Sequence, residues 1–110
     1  MKQIQKLQTA DNFSAINIGK IADIKDYVLE LGPDIKIVGK VFGGQALGAT
    51  GGEFSFQVFA PGQETGFIHT HKNHEELYFF LKGSGKFQVD GDVFPVGEGT
   101  VVRVSPDGRR

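Results

Sequence analysis

The sequence predicts an all-β domain, a sandwich or barrel of short strands, and three observations carry the prediction. Glycine takes 16 of 110 positions, about twice the ordinary usage of roughly 7%, and lies between apolar segments rather than in one tract. From residue 35 onward apolar and polar residues alternate with the period of a strand. Asp90-Gly91-Asp92 is a strong hairpin signal, because the turn that matches strand twist needs positive φ at its central residues.

Residues 1–18 are mixed, with Phe13, Ile16 and Ile18 as candidate core contacts. One helix is expected over 23–31. Asp23 can cap it, Ile24, Tyr27, Val28 and Leu31 recur at helical spacing, and Gly32-Pro33 stops it. Ile35, Ile37 and Val41 then alternate with Lys36, Val38 and Lys40. Gly43-Gly44 and the stretch from Gly48 to Gly52 read as a loop. In 53–59, Phe54, Phe56 and Val58 share one face, and Pro61-Gly62 turns the chain. Strands are expected at 67–71 and 76–82, around a tight connection. Gly83-Ser84-Gly85 punctuates before Phe87 and Val89, and Val93-Phe94 and Val101 to Val104 supply the last strands.

The bulk numbers narrow the function. The length suits one domain over 1–110. Cysteine is absent, so neither a disulfide scaffold nor a zinc–thiolate site can form. Lys+Arg number 12 against 13 Asp+Glu, a net charge of −1, and the only basic pair is Arg109-Arg110. A nucleic-acid partner is not expected, because phosphate binding needs a basic field. The longest apolar run, Leu77-Tyr78-Phe79-Phe80-Leu81, is far short of the roughly 20 residues that cross a bilayer. The first residues lack the apolar stretch of a signal peptide. The expectation is a cytoplasmic protein with no membrane partner. The glycines from Gly43 to Thr50 have Walker-loop spacing, but Ala49 stands where the lysine belongs, and Gly83-Ser84-Gly85 joins two strands, so neither is a phosphate cradle.

The chemistry concentrates in His69-Thr70-His71-Lys72-Asn73-His74-Glu75-Glu76, which holds all three histidines. Imidazole and carboxylate are ligands that catalytic transition metals accept. On a strand, residues two apart share a face with Cα atoms roughly 6.5–7 Å apart, so His69 and His71 can lean onto one ion. Glu76 opens the next strand and can meet that ion from alongside. Two His and one carboxylate leave open positions, the arrangement used by non-haem iron oxygenases. By parity Tyr78 and Phe80 follow Glu76 inward as candidate pocket lining, while Glu75, Leu77, Phe79 and Leu81 face outward. His74 is more simply a loop residue, and a candidate extra ligand. Against this stands the reading of a solvated loop, with His69 and His71 merely near it.

With these residues in place the chain resembles a cupin. The first cupin motif, G-x5-H-x-H-x3–4-E-x6-G, is matched by His69-x-His71-x4-Glu76-x6-Gly83, with the leading glycine displaced to Gly62 or Gly66. The second motif, G-x5-P-x-G-x2-H-x3-N, is matched in part. Gly99 begins it, an extra residue, Ser105, precedes Pro106-Asp107-Gly108, and the sequence reaches Arg110 just before the expected histidine. The resemblance spans about residues 53–108. It implies a double-stranded β-helix (jelly-roll) barrel, often dimeric, with a divalent metal inside, so a homodimer is expected. It also implies that a further His ligand and the closing strands would lie beyond Arg110.

Three functions stay open. One is a metalloenzyme acting on a small molecule by dioxygenation, isomerisation or decarboxylation, with His69, His71 and Glu76 holding Zn, Fe, Mn, Ni or Cu. The second is a non-catalytic small-ligand binding or sensor module. The third is a metal-free relic whose histidines serve packing.

Overall fold

The structure, a computed structural model, describes residues 2–63 and 74–109. Strand is their main regular structure, in antiparallel two-stranded pairs, and they fall into two compact units, Met1–Glu64 and Thr65–Arg110.

The first unit begins with a hairpin, β1 (Gln5–Ala10) with β2 (Phe13–Asn17). All six residues of β1 are exposed and Phe13 is 53% exposed, whereas Ile16 and Ile18 are partly buried. The expected helix over 23–31 is replaced by a 3-10 helix at Ile21–Asp26 and then a strand, β3 (Val28–Gly32). Tyr27 already has extended φ −80° and ψ 146°. Ile24 and Tyr27, three apart, reach the core from a single tight turn. Val28, Leu29 and Glu30 instead pair with Val38, Ile37 and Lys36 of β4 (Ile35–Val38). Cross-strand pairing satisfies the backbone and suits branched side chains better than helix continuation would.

Gly39 separates β4 from β5 (Lys40–Phe42), which pairs with β6 (Ser55–Gln57). The expected strand over 53–59 is thus shorter. The expected loop after Gly43 contains one helical turn, α1 (Gly44–Leu47), closed by Gly48 in the left-handed region at φ 72°. The Glu53 carboxylate accepts from the Gly44 N–H at 2.7 Å, satisfying a donor that a helix start leaves without an intrahelical partner. Ile24, Tyr27 and Val41 form the buried centre, with Ile4, Ile18 and Phe56 packed on it. The Tyr27 hydroxyl donates to the Ile18 carbonyl at 2.6 Å, so its polar end is satisfied.

The second unit nests one pair around another. β8 (Ser84–Val89) and β9 (Asp92–Gly97) form a hairpin, and β7 (Glu76–Phe79) pairs with β10 (Val101–Val104) on either side of it in sequence. Asp90 at φ 52° and Gly91 at φ 87° make the hairpin turn, as the Asp-Gly pair predicts. The ladder between β7 and β10 runs on through the Phe80 N–H to the Thr100 carbonyl at 3.0 Å and the Gly99 N–H to the Phe80 carbonyl at 2.8 Å. The last described residues fold back on the hairpin: the Asp90 N–H donates to the Arg109 carbonyl, and the Arg109 N–H donates to Asp90 Oδ1, each at 2.9 Å. The expected strand at 67–71 lies outside the described residues. Among the described residues no helix is long and apolar enough to cross a membrane.

Candidate functional site

β7 places Glu76 by the alternation of a strand. Glu76, Tyr78 and Phe80 are half-buried, while Glu75, Leu77, Phe79 and Leu81 are exposed, as the parity argument requires. Register with β10 sets Glu76 opposite Val104 and Tyr78 opposite Val102. Val104 is 1% exposed, so the neighbour across from Glu76 is core.

Glu76 is held by its own strand. The Tyr78 hydroxyl donates to Glu76 Oε1 at 2.7 Å, a contact that residues two apart can make on one face. The Tyr78 ring meets the edge of Phe87 on β8, with centroids 4.9 Å apart and planes at 63°. Phe87 also meets Phe80 edge-on at 5.9 Å and Phe94 at 5.9 Å. Such pairs contribute about 0.5–1.5 kcal/mol each beyond burial, so the ring carrying the hydroxyl is seated by packing. Sequence reasoning put Tyr78 here as apolar wall and missed both its hydrogen bond and the role of Phe87. The two-residue spacing from Glu76 held the first signal, but Phe87 could be placed only once the pairing was known.

The outer face carries a different feature. Glu75 points away from Glu76 and pairs with Arg103 Nε at 2.6 Å across the β7–β10 ladder, both side chains being more than half exposed. His74 is exposed and precedes β7. His69 and His71 lie outside the described residues, so their expected convergence with Glu76 is not part of this geometry. Among the described residues no three His, Asp or Glu gather as a metal-holding group. Among the described residues, one open concavity is lined by Gln88, Asp90, Gly91 and Arg109 and another lies beside the β1–β2 turn and α1; neither includes Glu76 or Tyr78.

The matched glycines of the second motif have physical roles. Gly99, at φ 87°, turns the chain into β10. Gly108 is buried, and a Cβ there would come within 2.6 Å of Val104 Cγ1.

Comparison with known proteins agrees with this architecture. The profile of the cupin domain matches residues 55–109. The chain belongs to the cupin family. A cupin protein from Bacteroides fragilis, known from its crystal structure, is 31% identical with a TM-score of 0.62 over 74% of this chain. This chain spans 65% of that protein's length. Comparison with curated proteins gives no match.

Proposed function

We propose that this chain is a small metal-binding cupin, a candidate metalloenzyme for a small molecule, in which His69, His71 and Glu76 hold one divalent transition metal. The observation that carries the reading is the half-buried Glu76 carboxylate, held by the Tyr78 hydroxyl at 2.7 Å and preceded in sequence by the His-x-His pair. The donor set fits a first-row divalent ion, and a hydrogen bond to a ligating carboxylate is a recurrent support of such sites. A bound metal would supply Lewis acidity or activate oxygen or water. This chain's residues would hold the ion through two imidazoles and one carboxylate, while Tyr78, Phe80 and Phe87 exclude water beside it. His74 is an additional candidate ligand. The nested pairing of β8–β9 inside β7–β10 supports the jelly-roll barrel, because such a roll is wound from antiparallel pairs nested in this way. The exposed Leu77, Phe79 and Val101 of the outer face support the expected homodimer.

A non-catalytic binding module is the second reading, favoured by the apolar residues beside the Glu76–Tyr78 pair: buried Val104 stands across from Glu76, Val102 stands across from Tyr78, and Phe87 packs on the Tyr78 ring with Phe80 and Phe94 against it. Such a surface can retain a small apolar ligand without chemistry.

The test begins with protein freed of metal by chelation. Mn, Fe, Ni, Zn and Cu salts are then added while the melting temperature is followed. At least one ion is expected to raise it, since a ligand that binds only the folded state stabilises it by mass action. His69→Ala and Glu76→Ala should abolish the shift. No shift with any of the five ions would support the metal-free relic instead. Once a turnover is found, its survival in both variants would exclude metal chemistry and leave the binding reading.

A further inference from the structure

We propose that Tyr78 is a positioning residue for the Glu76 carboxylate, engaging one of its oxygens so that the other serves a divalent cation. The inference rests on the metal-binding reading above and deepens it. The Tyr78 O–H donates to Glu76 Oε1 at 2.7 Å, within the range of strong O–H···O⁻ bonds. Both residues lie on β7, and their backbones are fixed by the pairings Glu76 with Val104 and Tyr78 with Val102. The donor is therefore anchored to the same ladder as the acceptor. The far side of the tyrosine ring is fixed as well, by the edge contact with Phe87 at 4.9 Å, and Phe87 is in turn braced by Phe80 and Phe94.

Two physical consequences follow. A free glutamate side chain has three rotatable bonds, and ordering it on an ion carries a side-chain entropy cost. The hydroxyl orders the carboxylate before the ion arrives, so that part of the cost is already met in the folded protein. A carboxylate with one oxygen engaged by a hydroxyl also has less freedom to bind through both oxygens. Tyr78 would thus favour binding of a cation through one carboxylate oxygen and would leave more of that cation's coordination open to a small molecule. Loss of such an outer partner typically lowers metal affinity by about 10–100-fold.

The experiment compares wild type, Tyr78→Phe, Phe87→Leu and Glu76→Ala, all stripped of metal and titrated with Mn²⁺ and Co²⁺ by calorimetry. The visible spectrum of the Co²⁺ forms reports coordination, and the metal-free melting temperatures report fold. Tyr78→Phe is expected to bind about 10–100-fold more weakly and to change the Co²⁺ spectrum, with little change in metal-free melting temperature. Phe87→Leu keeps the hydroxyl but loosens its ring; it should weaken binding less, by about twofold to tenfold. It also keeps the proposal testable should Tyr78→Phe fail to fold. Binding by Tyr78→Phe within twofold of wild type, with an unchanged Co²⁺ spectrum, would overturn the positioning role while leaving the metal reading intact, provided Glu76→Ala loses the ion. Wild-type protein that binds neither ion would overturn the metal reading, and this inference with it.

Discussion

Replacing Gly39 by alanine is expected to destabilise the protein by about 2–5 kcal/mol, and the figure can be built from its surroundings. Gly39 is buried between β4 and β5 at φ 82°, a left-handed value that disfavours an L side chain by about 1–2 kcal/mol. Its N–H donates to the Tyr27 carbonyl at 2.6 Å, and its own carbonyl accepts from the Val58 N–H at 2.8 Å. A Cβ would stand 2.7 Å from Val58 Cγ1 and 3.0 Å from the Val58 carbonyl oxygen. The valine side chain is partly exposed and can turn away, but the carbonyl belongs to the strand segment that Gly39 itself hydrogen-bonds. Backbone shifts forced by overpacking cost about 1–3 kcal/mol. Gly48→Ala is the control. Gly48 also has positive φ, 72°, but nothing lies within 4 Å of its Cβ position, so only the conformational part applies. Urea denaturation of both variants, read by circular dichroism, separates the two contributions. Gly39→Ala should fall below Gly48→Ala by about 1–3 kcal/mol, a difference of several degrees in melting temperature. Equal stabilities would refute the close approach of Val58 to Gly39.

The core of the first unit and the outer face of the second yield further expectations. Tyr27→Phe removes the bond to the Ile18 carbonyl and should lose about 1–2 kcal/mol in the same urea assay, the usual loss for a hydrogen bond whose partner is left behind. Burial pushes the Tyr27 phenol above its ordinary value of 10.0. The unfolded chain therefore ionises first, and this contribution to stability is fully present below about pH 10 and lost as pH rises through the folded pKa. Alkaline unfolding curves should show that loss in wild type and a smaller one in Tyr27→Phe; identical curves would remove the phenol from the account. Arg103→Ala breaks an ion pair between side chains more than half exposed and should change stability by less than about 1 kcal/mol, with a larger loss indicating that the pair is desolvated in solution.

Where local chemistry dictates geometry, the fold was legible in the sequence. Asp90-Gly91 specifies a turn that few other dipeptides can make, and the β8–β9 hairpin forms there with both residues at positive φ. The alternation through Glu76, Leu77, Tyr78, Phe79 and Phe80 reads correctly because a strand permits only two faces. The β1–β2 hairpin was not legible. Its first strand, Gln5–Ala10, is exposed throughout, so no apolar alternation marks it, and its turn at Asp11-Asn12 uses no residue at positive φ. The segment 23–31 misled for the opposite reason. Ile24 and Tyr27 have a spacing that one 3-10 turn satisfies as well as a longer helix does, and only the pairing of Val28–Glu30 with Lys36–Val38 decides between them. At the candidate site, composition and parity pointed to Glu76 and Tyr78 on one face. The hydroxyl-to-carboxylate bond and the bracing by Phe87 depend on rotamers and on strand pairing at longer range, which spacing does not encode.

Whether one carboxylate and two imidazoles meet at a single ion is decided by a crystal structure of the protein soaked with Mn²⁺. Anomalous density is expected with His69, His71 and Glu76 all coordinating, each ligand atom at about 2.0–2.3 Å. Density placed elsewhere, or a Glu76 carboxylate more than about 4 Å from the ion and thus outside ion-pair contact, would contradict it.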